Sequence, residues 1–273
     1  MKNKTYIIAE GACAHEGNFD AAKEMIRIAK IAQVDAIKFQ IFNPNNIPNI
    51  TSIEREYLEK VQFTKEDFKQ LMLIAEGIDF FLTPFDIASI DACKELGLDT
   101  IKIPSGRVTD IPYMTHIFSK GFKRIFVSSG MLNQQDLIWL KAKFPGMIWL
   151  HCVTAYPAPE EEMNLNVLKG KTFDGLSDHT LSTDVPSIAV ACGAKYIEKH
   201  FTLNRNQPGP DQKCSLEPLE LMDMVHKVRR TEIILGNSIK KVMPSEAKMA
   251  YRMVDKRKGK LWKKPKQAKK EKH

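Results

Sequence analysis

The sequence predicts an α/β chain whose strands close into a (β/α)8 barrel of the TIM-barrel class, followed by a short basic tail. Three observations carry this expectation. Eight apolar, β-rich runs alternate with helical patterns over about 235 residues, a rhythm that calls for parallel strands joined by helical crossovers. Nearly every run ends in a polar or charged group, as expected when all strand ends open onto one face. No G-x-G-x-x-G opens the first helix, which counts against the doubly wound open sheet that would give a similar pattern.

In order, strands are expected at Tyr6–Glu10, Ala36–Gln40, Phe80–Pro84, Thr100–Pro104, Arg124–Ser128, Ile148–Val153, Asp174–Ser177 and Tyr196–Phe201. The clearest helical periodicities lie at Asp20–Ala32, Lys65–Glu76, Ile87–Leu96, Gln134–Lys143, Asp184–Cys192 and Pro218–Leu235. The segment Phe42–Phe63 exceeds an ordinary strand-to-helix loop and is expected to cover the site.

Composition narrows the setting. The chain has 273 residues, 43% of them hydrophobic, enough for one large core. No run approaches the roughly 20 apolar residues of a membrane span, and the N-terminus runs into a strand-like segment without an apolar leader. The five cysteines are odd in number, widely spaced and without a C-x-x-C pair, so reduced thiols in the cytoplasm are expected. Asn49-Ile50-Thr51 matches a glycosylation sequon and is read as chance in that setting. The net charge of +8 sits at one end: residues 239–273 hold 14 Lys+Arg against three Asp+Glu, leaving a mildly acidic body. The expected organisation is a catalytic barrel over residues 1–238 and a connector with basic tail over 239–273. Within the tail, residues 256–273 carry ten Lys+Arg and one Glu with Trp262 as the sole aromatic. A solvated extension able to touch an acidic partner is expected there, rather than a nucleic-acid arm.

The strand ends deliver Glu10, Lys38 with Gln40, Thr83 to Asp86, Lys102 with Ser105, Ser128-Ser129-Gly130, His151 with Thr154, Ser177-Asp178-His179, and His200. Lys38 and Lys102 lie mid-strand, in Ala-Ile-Lys-Phe-Gln and Thr-Ile-Lys-Ile-Pro. Either could point outward, or pair internally with a carboxylate such as Glu10. Together with Ser105, Ser128 and Ser177 they also suit a small multivalent anion. Gly106, Gly130 and Gly175 would admit close backbone N–H approach to a phosphate. His179 and His200 end successive strands. They are either satisfied core histidines or a divalent-metal pair completed by water and substrate, with Asp178 or Glu198 as orienting groups. His116 and His226 fall in helical patterns and read as structural or surface residues. His15 suits either the pocket rim or the interior. Asn206 to Asp211, with Pro208, Gly209 and Pro210, reads as a rigid recognition loop over the mouth.

From about residue 5 to residue 254 the chain resembles the sialic acid synthase (NeuB, or spore-coat SpsE-like) family. The matching stretches include Ile7-Ile8-Ala9-Glu10, Ile37-Lys38-Phe39-Gln40, Thr83-Pro84-Phe85-Asp86, Ile101-Lys102-Ile103-Pro104-Ser105-Gly106 and Ser128-Ser129-Gly130-Met131. Further on come Leu150-His151-Cys152, Tyr156-Pro157, Leu176-Ser177-Asp178-His179-Thr180-Leu181, Ile197-Glu198-Lys199-His200-Phe201-Thr202 and Pro208-Gly209-Pro210-Asp211. The resemblance implies a transferase that condenses phosphoenolpyruvate with an N-acetylmannosamine-like aldose and releases phosphate by C–O cleavage. It implies Mn²⁺ or Mg²⁺ on His179 and His200, acting on the aldehyde as a Lewis acid. Lys38, Lys102, Ser105, Ser128 and Ser177 would hold the phosphate and carboxylate of phosphoenolpyruvate. Glu10, Gln40, Tyr156 and Asp211 would face the sugar, and the family habit of pairing implies a homodimer.

Three departures stand out. Arg107 follows Pro104-Ser105-Gly106 where the family usually has Glu, and is read as a substrate-side residue whose charge either suits an acidic or phosphorylated acceptor or removes an acid/base. Thr154 stands for an expected Asn, and the first loop reads Cys13-Ala14-His15-Glu16-Gly17 where Asn-His-x-Gly is common. After Met243-Pro244-Ser245-Glu246 and Tyr251-Arg252, which resemble the connector to a C-terminal antifreeze-like domain, the chain turns to its lysine-rich run, so that domain is read as absent. Two other readings stand beside the leading one. One is condensation with a sugar phosphate, as in deoxyoctulosonate or deoxyheptulosonate phosphate synthases; the other is a catalytically weak barrel serving as a binding or assembly subunit.

Overall fold

The structure, a computed structural model, describes residues 4–246, 249, 254–255 and 260–261. Tyr251, Arg252 and most of the basic tail lie outside the described residues. Two compact units occur, Met1–Leu235 and Gly236–His273. In the second, the strands β9 (Val254–Asp255) and β10 (Lys260–Leu261) pair antiparallel.

The first unit is a closed barrel of eight parallel strands in sequence order: β1 (Tyr6–Ala12), β2 (Ala36–Ile41), β3 (Asp79–Pro84), β4 (Thr100–Ile103), β5 (Arg124–Ser128), β6 (Ile148–Cys152), β7 (Gly175–Asp178) and β8 (Tyr196–His200). All eight expected strands form, with ends that differ by at most two residues. Around them lie α1 (Phe19–Ile31), α2 (Ser52–Val61), α3 (Lys65–Ile74), α4 (Ile87–Glu95), α5 (Ile111–Ser119), α6 (Gln134–Lys143), α7 (Val185–Ala191) and α8 (Pro218–Leu235). Between β6 and β7 the chain crosses with 3₁₀ turns at Glu160–Glu162 and Leu165–Gly170 instead of an α-helix. No helix among the described residues is long and apolar enough to cross a membrane.

Side chains alternate between the two faces of each strand, which sorts the barrel interior into layers. Ile8, Ala36, Phe81, Phe126 and Leu150 form a closed apolar cluster, with Tyr6, Ile148 and Tyr196 packed beneath it. Phe126 stacks on Phe81 at 5.6 Å and on Tyr6 at 6.2 Å. At the N-terminal end the Arg124 guanidinium meets Asp79 at 2.6 Å and lies over the Tyr6 ring. The barrel is therefore plugged from below. Two residues further along β1, β2, β3 and β5 the inward positions are Glu10, Lys38, Thr83 and Ser128, and that polar layer becomes the floor of a site. A larger apolar shell between strands and helices holds the outside of the barrel together.

The segment between β2 and α3 departs from the expectation of a cover. Its helix α2 begins with a capping box, in which Thr51 accepts from the Glu54 N–H and the Glu54 carboxylate takes the Thr51 N–H. Tyr57, Leu58 and Val61 then pack with Cys13, Phe42 and Phe85. The segment braces the β1 loop from outside and contributes no residue to the pocket lining.

Candidate active site

The polar layer opens into a cavity of about 260 Å³ at the C-terminal ends of the strands. Strand parity explains its makeup. Lys38 and Gln40 share the inward face of β2, and Glu198 and His200 that of β8, because residues two apart point the same way. Register brings them level, with Glu10 opposite both Lys38 and His200, and Ser177 opposite Glu198.

At the floor, buried charges compensate one another. The Lys38 ammonium, fully buried, pairs with Glu10, donates to Thr83 Oγ1 at 2.9 Å and lies 3.5 Å from Glu198 Oε2. Lys102 Nζ meets Glu198 Oε1 at 3.0 Å, and Ser177 Oγ donates to that same oxygen at 2.8 Å. Burial pushes the Lys38 ammonium down to about 7; Glu198 opposes that shift and Lys102 adds to it. Burial pushes the Glu198 carboxyl up, but Lys102, Lys38 and the Ser177 hydrogen bond outweigh it and hold the group well below the ordinary carboxylate range.

Above this floor sit the two histidines, ring centres 5.2 Å apart. His179 Nδ1 lies 2.8 Å from the Val153 carbonyl. In the tautomer that donates there, Nε2 keeps its lone pair. Burial drives the His200 imidazole well below its ordinary range, with His179 and Lys38 adding to the shift, so the ring is neutral at pH 7. Its Nδ1 is buried without a hydrogen-bond partner. Tyr156 leans on the pair, its ring 4.3 Å from that of His179. On the far side Asp211 reaches the cavity from the loop after β8; burial raises its carboxyl, while the Cys13 backbone and the nearby His179 and Lys38 oppose the shift.

Of the expected site residues, Glu10, Lys38, Gln40, Lys102, Ser105, Ser128, Thr154, Tyr156, Ser177, His179, His200 and Asp211 all line this one cavity. Arg107 does not. Its guanidinium pairs with Asp110 at 2.8 Å and lies over the Tyr113 ring at 4.7 Å, in the turn that starts α5. The three glycines also separate. Gly106 lines the cavity, whereas the Gly130 N–H is already given to Ser105 Oγ at 3.1 Å. Gly175 instead lets β7 pass the Tyr196 carbonyl, which a Cβ there would approach to 2.1 Å. His15 turns inward and stacks on Phe63 at 4.0 Å rather than lining the rim. Asp178 faces away from the histidines and pairs with the buried Lys199 at 2.6 Å.

Glu198, expected as an orienting group beside a metal pair, is the counter-ion of both lysines. Its signal was present, two positions before His200 on the same strand face. Met131 was also missed as a site residue; it lines the cavity mouth with a left-handed φ of 67° and is 73% exposed.

A parallel barrel with buried lysines, carboxylates and two histidines gathered at its C-terminal mouth has the layout of a barrel enzyme's active site. Similarity to known proteins sharpens that class. The family model described as "NeuB family" matches residues 25–240. The N,N'-diacetyllegionaminic acid synthase of Campylobacter jejuni is 38% identical, over 90% of this chain and 81% of that protein. The N-acetylneuraminate-9-phosphate synthase of Mus musculus is 33% identical, over 90% of this chain and 75% of its own length. A crystal structure of N-acetylneuraminic acid (sialic acid) synthetase from Leptospira borgpetersenii, in complex with citrate, superposes with a TM-score of 0.85 at 31% identity and 90% coverage of both chains. The chain belongs to the NeuB family and is an enzyme of the sialic-acid-synthase kind.

Proposed function

We propose that the protein condenses phosphoenolpyruvate with an N-acetylmannosamine-like aldose to give a nonulosonic acid and inorganic phosphate. One observation carries this reading. Three buried polar atoms without hydrogen-bond partners, Ser128 Oγ, Thr154 Oγ1 and His200 Nδ1, converge on the cavity that holds Lys38 and Lys102. Buried polar atoms are rarely left unpaired, so a site with several is shaped for a polar ligand.

Lys38, Lys102, Ser105, Ser128 and Ser177 bind the phosphate and carboxylate of phosphoenolpyruvate, through charge-assisted hydrogen bonds in a water-poor setting. Glu10, Gln40, Thr154, Tyr156 and Asp211 face the aldose. Carbon 3 of phosphoenolpyruvate forms the new bond to the aldehyde carbon, water adds at carbon 2, and phosphate leaves with the C–O bond. The Lys38–Glu10 pair, whose lysine titrates near neutrality, is placed to move the proton this sequence requires. Arg107 lies outside the cavity lining and pairs with Asp110 over the Tyr113 ring, which favours an unphosphorylated acceptor.

His179 and His200 fit a divalent ion, Mn²⁺ or Mg²⁺. The neutral His200 ring, whose Nδ1 has no hydrogen-bond partner, and Nε2 of His179 in the tautomer that donates to the Val153 carbonyl supply two donors, and no group of three His, Cys, Asp or Glu stands ready among the described residues. Water and substrate oxygens would complete the shell, and the bound ion would polarise the aldehyde. A homodimer, a cytoplasmic setting and a barrel at 1–238 followed by a connector and tail belong to the same reading. Phosphate release measured with phosphoenolpyruvate, Mn²⁺ and a panel of N-acetylated aldoses tests it. Aldose-dependent release that His179→Ala or His200→Ala abolishes is expected. Silence across the panel from folded, metal-loaded protein would overturn the reading.

A further inference from the structure

Three separate stretches of chain meet at Glu16, outside the cavity. It belongs to the β1–α1 loop and takes a left-handed φ of 52°, a conformation that a non-glycine residue keeps only when its surroundings enforce it. Tyr57 Oη of α2 donates to Glu16 Oε1 at 2.9 Å. Gln212 Nε2, from the loop after β8, donates to the same oxygen. Gly209, at φ 129°, passes directly over this junction; a Cβ there would come within 2.5 Å of Glu16 Oε1 and 2.3 Å of Gln212 Oε1. Next door, the Gly17 backbone lies so close to α2 that a Cβ would meet the Lys60 carbonyl at 2.6 Å. Gln212 is fully buried and its Oε1 has no partner, so its side chain is held through Nε2 alone.

The residues on either side of this junction reach the cavity. Asp211 precedes Gln212 and lines the pocket, and its carbonyl accepts from Ser215 Oγ at 2.6 Å. Cys13 lies three residues before Glu16, and its Sγ donates to Oε1 of the pocket residue Gln40 at 3.4 Å. Asp211 and Gln40 are the acceptor-side groups of the proposed reaction. The donor-side lysines and serines sit on β-strands and their immediate ends, and make no contact with Glu16.

We propose that Glu16 is a positioning residue that latches the loop after β8 to the β1 loop and α2, and so sets Asp211 and Gln40 over the acceptor half of the cavity. Glu16 touches no substrate. This inference rests on the reading of that half as the aldose site. The latch predicts a split between the two substrates, because a loosened loop after β8 moves Asp211 and leaves the barrel floor intact.

The test compares Glu16→Ala, Glu16→Gln and Tyr57→Phe in the full-length protein. Glu16→Ala leaves the Gln212 amide and the Tyr57 hydroxyl without their shared acceptor, so a rise of about tenfold or more in the aldose KM is expected. The phosphoenolpyruvate KM stays within about twofold. Glu16→Gln keeps an acceptor oxygen and restores most of the aldose affinity; Tyr57→Phe falls between. Hydrogen exchange gives a readout independent of turnover, and Glu16→Ala accelerates exchange at residues 203–216 while the barrel strands keep their protection. Equal loss of both substrates, or unchanged exchange in that loop, would overturn the latch. Failure of the wild-type protein to turn over any aldose would fall on the proposed function, and the exchange measurement would still decide the latch.

Discussion

Glu198→Gln isolates the electrostatics of the cavity floor. The carboxylate is 2% exposed and lies 3.0 Å from the Lys102 ammonium and 3.5 Å from that of Lys38. Glu10 remains as a counter-ion for Lys38, so the substitution strands chiefly Lys102. At about 3 Å and an effective dielectric near 20, one such pair attracts by roughly 5 kcal/mol, and breaking a buried pair by removing one partner costs about 3–5 kcal/mol. Glutamine keeps the shape and can still meet Ser177, so the lower end, about 3 kcal/mol, is expected; for a protein of this size that lowers Tm by roughly 6–12 °C. The same change acts in the opposite direction on anions. In the wild type an incoming phosphate must share the lysines with Glu198, and in the variant it supplies the missing charge. Inorganic phosphate therefore binds the variant about tenfold more tightly, and stabilises it more than it stabilises the wild type. Thermal melts with and without phosphate, together with calorimetric titration, measure both effects. A variant that melts within about 2 °C of the wild type and binds phosphate no better would refute the counter-ion assignment.

Other substitutions and conditions probe the remaining parts. Gly130→Ala places a Cβ 1.8 Å from Thr154 Oγ1 and 2.8 Å from Ser105 Oγ; phosphoenolpyruvate affinity should drop about tenfold or more, and adding Thr154→Ala should recover part of it by relieving the closer clash. Lys38, at about 7 in the ligand-free protein, should take up a proton when an anion binds above that pH and none well below it. Sulfate affinity should then fall by up to about tenfold per pH unit above 7, a slope that Lys38→Met removes. The same group links stability to pH. An unfolded lysine holds its proton to about 10.4, so between about 7 and 10.4 the unfolded chain binds more protons and this group's contribution to stability rises with pH. Arg107→Ala should leave both substrate KM values within about twofold and lower stability by about 1 kcal/mol, read from urea unfolding, because its contacts are to Asp110 and Tyr113.

The barrel was legible because its signals are local and repeated. The runs around Lys38, Lys102 and Glu198 are bounded by turn residues, and strand parity alone puts Lys38 with Gln40 and Glu198 with His200. What was not legible depends on contacts between elements. The direction of Arg107 is decided by Asp110 and Tyr113, which a strand-end argument does not weigh. His15 turns inward because Phe63, 48 positions later, offers a ring to stack on. Helix α2 does not stand out among the helical patterns, although Thr51 and Glu54 form a capping box, because it is short and polar and buries only Val61. The counter-ion role of Glu198 is hidden for a related reason: its partners Lys102 and Ser177 come from other strands, and only barrel closure brings the three together.

The most direct test follows oxygen. The enzyme is supplied with phosphoenolpyruvate, Mn²⁺ and an N-acetylmannosamine-like aldose in ¹⁸O-labelled water, and the released phosphate is analysed by mass spectrometry. If the cavity supports the proposed condensation, phosphate appears only with the aldose and carries no label, because the C–O bond breaks and solvent oxygen enters at carbon 2 of the sugar acid. Labelled phosphate, or release that ignores the aldose, would contradict it.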